Sequence, residues 1–210
     1  MKKLIFTLLL LSNFLFAQHI TFVYELKLRS NPDKDSLTTE NYYLDVSGSQ
    51  SVFRSQQARI SDSLKYSKGY GGVEKVTFNQ LYAIKDRERK EVIKSITTPL
   101  MNDLYFIRIE DQANWRILNE ITKIDNIDCQ KATRNYAGRE WTAWFDKNTL
   151  IHDGPYIFHG LPGLIIKLYD EKGDYDFSLM EIKNSTVNKT FHLRKGKEIN
   201  WETYSRLQNN

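Results

Sequence analysis

An all-β fold, a single antiparallel sheet system with one or two short helices, is what this sequence predicts, and three observations lead there. Aromatic residues make up 13% of the 210-residue chain, and with Val, Ile and Thr they favour the pleated, half-buried surface of a sheet. Apolar and polar residues alternate with period two over several short runs, the signature of strands with one face covered. Those runs are separated at regular intervals by Gly, Pro, Asn and Asp, the residues that turn an antiparallel chain.

Residues 1–17 stand apart and read as a removable export signal. Lys2 and Lys3 form a positive start, Leu4 to Phe16 is apolar apart from Thr7, Ser12 and Asn13, and Ala17 offers a small residue for cleavage before Gln18. Leu15 at position −3 is larger than the residue preferred there, which lets the cleavage point slip. The run is shorter than the roughly 20 apolar residues of a membrane span, and Gln18 stands where a lipid-attachment cysteine would be. Removal takes the chain from 210 to 193 residues, one domain at 18–210, and with two lysines gone the net charge falls from +4 to +2. The mature chain is expected without a transmembrane segment, in the periplasm, at the cell surface or secreted.

His19 to Arg29 is the first predicted strand, with Ile20, Phe22, Tyr24, Leu26 and Leu28 on one face. Ser30 to Thr39, with Pro32, reads as a loop. Tyr42 to Ser47 and Gln50 to Arg54 then form a hairpin around Gly48, which supplies a positive φ. The alternation stops between Ser55 and Lys68, where Ala58, Ile60 and Leu64 are sparse apolar points, and a short helix or ordered loop is expected. Gly69, Gly71 and Gly72 mark a break. Strands are expected over Val76 to Lys85, Glu91 to Thr97, Leu104 to Glu110 and Trp115 to Asn119. Between the first two, Lys85 to Glu91 alternates in charge and reads as a solvated turn.

Ile127 to Tyr136 and Arg139 to Asp146 make a further hairpin around Ala137-Gly138, and Trp141, Ala143 and Phe145 share one face of its second strand. Apolar residues on both faces there argue for a central, covered strand. Leu164 to Asp170 and Tyr175 to Lys183 form another hairpin, and Glu198 to Leu207 a short helix with Asn200 as its N-cap.

Most familiar chemistries find no support. Basic residues are interspersed with acids and not gathered on one run, which argues against nucleic acid. The four histidines, His19, His152, His159 and His192, match no metal-binding spacing, and the glycine-rich stretches match no phosphate-binding loop. No metal, cofactor or catalytic residue is therefore expected. Cys129, the single cysteine, forms no internal disulfide and reads as a buried, inert thiol. Asp174-Tyr175-Asp176 and Glu110-Asp111 look like turn and surface acids. The sequons at 184–186 and 188–190 matter only in a host that reads them. The Asp-Ser-Leu tripeptides at 35–37 and 62–64 resemble a bacterial O-glycosylation acceptor.

The densest feature runs from Gly154 to Gly163, which holds two of the four prolines and three of the ten glycines, so its backbone path is tightly specified. Gly160-Leu161-Pro162-Gly163-Leu164-Ile165 spells GLPGLI, and the chain resembles the family of exported bacterial proteins of unknown function named after that motif. The likeness extends through Cys129-Gln130-Lys131-Ala132-Thr133, Gly138-Arg139, Thr142-Ala143-Trp144 and Gly154-Pro155. It also takes in Tyr43-Leu44, Ser51-Val52-Phe53 and Asp62-Ser63. Where that family tends to carry Ile-Pro ahead of Gly-Pro, this chain has Leu150-Ile151-His152-Asp153. The family is also similar to the bowl-like, β-rich N-terminal domain of certain secreted peptide:N-glycosidases. The resemblance implies a bowl-like or half-barrel sheet and carries over no catalytic residue.

The preferred reading is a non-catalytic binding or accessory module of the cell envelope, using the concave face of its sheet, with Trp141, Trp144 and Tyr156 as candidate lining. The family's association with outer-membrane import systems implies an envelope protein, a peptide or a glycan as partner. The motif loop is then either a binding rim or a packed corner. Two alternatives stay open: an extracytoplasmic hydrolase with His159 and Asp153 as acid and base, and a structural assembly partner of import systems.

Overall fold

The computed structural model describes residues 19–30, 36–69, 80–98, 103–110, 113–185, 191–194 and 196–208. Among them run β1 (His19–Leu28), β2 (Thr38–Ser47), β3 (Gln50–Ser55), α1 (Gln56–Lys68), β4 (Tyr82–Asp86), β5 (Glu91–Thr97) and β6 (Leu104–Arg108). There follow β7 (Arg116–Ile124), β8 (Ile127–Tyr136), β9 (Arg139–Asp146), β10 (Leu164–Asp170), β11 (Tyr175–Ser185), β12 (Lys197–Glu198) and α2 (Trp201–Gln208). The export signal, the Gly71-Gly72 break, the second sequon and parts of the first sequon and of the first Asp-Ser-Leu lie outside the described residues. No described helix is long and apolar enough to cross a membrane.

All twelve strands join one open sheet in the order β12-β6-β5-β4-β3-β2-β1-β11-β10-β9-β8-β7. The expected antiparallel pairing holds for every pair but one: β12 runs parallel to β6, with Lys197 beside Tyr105 and Glu198 beside Phe106. Ahead of β12 the chain is tied to the outer side, where Arg194 Nε meets Asp62 at 2.5 Å and the His192 carbonyl accepts from Arg54 at 3.2 Å.

The sheet is strongly curled. Lys94 of β5 and Trp141 of β9 line one cleft, yet seven strand steps separate them in the sheet, about 34 Å if it were flat at about 4.8 Å per strand. The curl wraps the inner side chains into one core. Phe22, Tyr24 and Leu26 of β1, Leu44 of β2, Phe53 of β3 and Phe145 of β9 are all buried there, each worth about 1.5–3 kcal/mol when fully removed from water. The two ends of the sheet do not pair, and the β9 strand is covered on its Trp141 face only.

The outer face explains why α1 has no apolar stripe. Ser55 Oγ caps its first turn by accepting from Ala58 N at 3.2 Å, and Gly69 at φ +79° closes its last. Its inward side is charged. Arg54 is fully buried and binds Asp62 as well as Asp45, the latter at 3.0 Å; Arg59 reaches Asp45 at 2.9 Å, and the Tyr82 hydroxyl donates to Asp62 at 2.7 Å. Ile60 stays exposed while Asp62 is buried.

Three further expectations need correction, and a fourth lies partly outside the described residues. The strand expected from Val76 is described only from Tyr82, residues 76–79 lying outside the described set. Lys85 is not in a solvated turn: β4 continues its alternation through Ala83 to Lys85, which is 1% exposed, and the turn itself is Arg87 to Lys90. Asp174 is not a surface acid but a buried partner of Arg139 at 2.5 Å. The strand expected over Trp115 to Asn119 runs on to Ile124 because it pairs with β8 beyond an irregularity between Ile117 and Ile121.

Candidate functional site

The loop from Asp153 to Leu164 folds inward and fills the curl of the sheet. Phe158 N donates to Pro155 O at 3.1 Å and Gly163 N to Leu161 O at 2.8 Å, closing two tight turns. Between them Ile157, Phe158 and Leu161 are buried, as are Leu164, Ile165 and Ile166 that follow. Gly154 and Pro155 are buried too, while Gly160 and Pro162 face outward. Two glycines are dictated by contact. A Cβ on Gly163, at φ +153°, would stand 1.9 Å from Asp146 O, and one on Gly154 would stand 2.5 Å from Ile165 Cδ1.

Polar ties fix the loop from below. Lys85 Nζ reaches Asp153 Oδ1 at 2.5 Å and Gly154 O at 2.6 Å, Arg87 reaches Asp153 Oδ2 at 3.1 Å, and Tyr24 OH donates to Ile165 O at 2.6 Å. Burial pushes the Asp153 carboxyl up, but Lys85 and Arg87 outweigh it and hold the group below the usual carboxylate range. Burial likewise pushes the Lys85 amine down against the pull of Asp153. The carboxylate proposed as partner of His159 is thus already committed to two cations and to Gly154 N, which donates at 2.8 Å.

The remaining motif positions lie on β8 and β9. Cys129 and Ala132 are buried, Ala132 opposite Ala143. Burial, with the Asp146 and Asp128 carboxylates beside it, pushes the Cys129 thiol up to about 11. Trp144 points to the face opposite Trp141, since successive strand residues alternate, and there the Lys131 ammonium stands 5.8 Å from its ring while also binding Glu120 at 2.9 Å. Trp144 therefore does not line the concave face. Gly138, at φ +74°, closes the β8–β9 hairpin and sets Arg139 on the rim, where it binds Asp170 and Asp174 and lies 5.4 Å over the Tyr175 ring.

Above the buried loop opens a cleft of about 260 Å³, just below the roughly 300–1,000 Å³ usual for small-ligand sites. Its walls are aromatic. The Trp141 ring centre lies 4.5 Å from that of Phe158 and 5.7 Å from that of Tyr175, and Tyr175 stacks on Phe177 at 6.5 Å. Tyr136, Tyr156 and Trp201 complete the ring, with Trp201 46% exposed at the mouth. Tyr156 adopts φ +52°, uncommon for a side chain of this size, and the loop holds it there. Beneath, the Arg134 guanidinium lies 5.2 Å over Trp115 and 5.4 Å over Phe158. Lys94 and Arg139 are the cations of the cleft, and among the described residues no Asp or Glu belongs to its lining. A larger hollow of about 780 Å³ shares Tyr136 and Trp201 with it and carries Glu110, Glu198 and Glu202. Among the described residues no three His, Cys, Asp or Glu gather as a metal site.

The sequence singled out Trp141 and Tyr156, and the structure brings both to the cleft. Lys94, Tyr136, Tyr175 and Trp201 went unnoticed. For Lys94 a signal existed, because it interrupts the apolar series Val92, Lys94, Ile96 on the inner face of β5.

No protein family's model matches the chain, and no curated protein matches it. Among solved structures it is similar to PNGF-II, a peptide:N-glycosidase. In one crystal form the match has a TM-score of 0.62 over 91% of this chain and 33% of that one, at 14% identity. In a second form the TM-score is 0.63 over 91% and 32%, also at 14% identity. The chain spans about a third of PNGF-II, and the likeness is one of fold.

Proposed function

We propose that this chain is an exported, non-catalytic binding module of the cell envelope, a GLPGLI-family domain over 18–210 after loss of residues 1–17, and that it holds a saccharide in the aromatic cleft. One observation carries the reading: seven aromatic side chains, from β8, β9, β11, the motif loop and α2, converge on one small cavity whose lining, among the described residues, has no acid, serine, cysteine or histidine. Flat aromatic faces accept the C–H faces of sugar rings. Hydrolysis of a glycosidic bond ordinarily needs a pair of carboxyl groups flanking it; among the described residues the cleft itself offers none, and Glu110, Glu198 and Glu202 belong to the adjoining hollow. The commitment of Asp153 to Lys85 and Arg87 also counts against the pair with His159. The shared fold with a glycosidase favours a glycan over a peptide. The buried path of the motif loop supports a packed corner that floors the cleft, with Tyr156 as its contribution to the wall.

Trp141 and Trp201 report on occupancy. Titration with oligosaccharides is expected to shift tryptophan emission, to leave the sugar uncleaved on overnight incubation, and to lose the response in Trp201→Ala. An unchanged spectrum across neutral and acidic oligosaccharides would remove the reading, and released reducing ends would replace it with a hydrolase.

A further inference from the structure

Two lysines of adjacent strands occupy inner-face positions, and the fold treats them differently. Lys85 of β4 is buried, and its ammonium is met by Asp153 at 2.5 Å and the Gly154 carbonyl at 2.6 Å. Lys94 of β5 sits between Val92 and Ile96, both in the core, and no described residue gives its ammonium an ion pair or hydrogen bond. What surrounds it is aromatic: the Tyr156 ring centre lies 5.8 Å from Nζ and the Trp201 ring centre 5.7 Å. A half-buried ammonium without an anion is unfavourable, and burial accordingly lowers its pKa. Cation–π contact offsets part of that cost, but the three N–H donors stay unspent. The second cation is not comparable, since Arg139 is already held by Asp170 and Asp174.

We propose that Lys94 is the receptor for an acidic group of the ligand, so that the cleft takes an acidic saccharide of the uronate class. Its carboxylate pairs with the ammonium while its ring lies against Tyr156 and Trp201. This rests on the saccharide reading above. At about 260 Å³ the cavity has room for one or two sugar rings, and the adjoining hollow, which carries Glu110, Glu198 and Glu202, is left out of the acidic site.

The test compares tri-galacturonate with its methyl ester, by calorimetry or tryptophan emission, on the isolated exported protein. The acid is expected to bind at least tenfold more tightly than the ester. Lys94→Met should bring the ratio near one, and Lys94→Arg should retain a preference of several fold. Thermal melts of both variants confirm folding, Lys94→Met being expected at or above the parent. Equal affinity for acid and ester in the parent overturns the inference and leaves the saccharide reading standing. Binding of neither overturns both. A preference that survives Lys94→Met places the anion elsewhere and overturns the role of Lys94. Competition by free acetate or an acidic peptide as effective as that by the trisaccharide shows a general carboxylate site and overturns the assignment to saccharide.

Discussion

Asp153→Asn tests the mechanism that holds the motif loop in the curl of the sheet. The substitution keeps the size of the side chain and removes its charge. Lys85, 1% exposed, is then left in the core without its anion, keeping only neutral close acceptors, the new amide oxygen and the Gly154 carbonyl at 2.6 Å. Removing one member of a buried pair costs about 3–5 kcal/mol. The contact of Asp153 with Arg87 adds little, because that guanidinium is a quarter exposed and surface pairs are worth about 1 kcal/mol or less. For a domain of this length each kcal/mol moves Tm by about 2–4 °C, so calorimetry at pH 7 should show a fall of about 6–20 °C. The pH dependence is diagnostic. Without Asp153, burial depresses the Lys85 amine further below its unfolded value near 10.4. Between those two values the unfolded state binds the extra proton, so the variant gains stability as pH rises and its deficit narrows towards pH 10. In acid the two proteins converge as well. The Asp153 carboxyl is held low in the folded parent, so its contribution is present above the ordinary carboxylate value and lost as pH falls through the folded one. A deficit under 1 kcal/mol at pH 7, or one that stays constant from pH 7 to pH 10, would refute the account.

Gly163→Ala should destabilise by about 3 kcal/mol or more, since its Cβ meets a backbone carbonyl at 1.9 Å and both crowding and positive-φ strain contribute. Gly48→Ala, with φ +57° and open space around it, should cost only about 1 kcal/mol, which denaturant titration of the two side by side resolves. Arg54→Ala should lose about 3 kcal/mol, the low end for a broken buried pair, because Arg59 and Arg194 still cover Asp45 and Asp62; urea melts check it. With its thiol pushed up to about 11, Cys129 is about one part in a thousand thiolate at pH 8. A disulfide reagent should therefore label the folded protein at least a hundredfold more slowly than the unfolded one, and comparable rates would contradict its burial.

Strands were legible where a single apolar face wrote the alternation, as in Phe22, Tyr24 and Leu26 or in Trp141, Ala143 and Phe145. The hairpin turns at Gly48 and Gly138 were legible because both sit at positive φ, which the residue type announces. Charge was misread wherever the partner lies far along the chain. Lys85 looks solvated beside Asp86 and Arg87 because its anion is Asp153, and Asp174 looks like a turn acid because Arg139 comes from another hairpin. The helix α1 was ambiguous for the same reason. Its inward face is a set of ion pairs with β2 and β3, not a row of leucines. The cleft was the least legible part, since curvature brings Lys94 of β5 to walls built by β8, β9, β11, the motif loop and α2, and curvature leaves no local mark. Trp141 and Tyr156 drew notice as aromatics near the motif, whereas Lys94 and Trp201 join the cleft only because the two ends of the sheet approach each other.

The contrast between the two inner-face lysines ties the most recognisable stretch of the chain to the proposed site. Both strands place a cation against the same core, and the loop supplies an anion to one of them only. Asp153 and the turn at Gly154 and Pro155 neutralise Lys85 and thereby anchor the loop, and the same turn carries Tyr156 across to Lys94. One short segment thus satisfies the structural lysine and frames the unsatisfied one. The fold keeps a destabilising charge at a place it had the means to replace with an apolar residue, as it does at Val92 and Ile96 on either side. A site kept for binding accounts for that, because the ligand's anion lowers the cost only when it is bound. On this argument the stability gained by Lys94→Met and the acid preference lost with it are two readings of one electrostatic debt, and they should appear together.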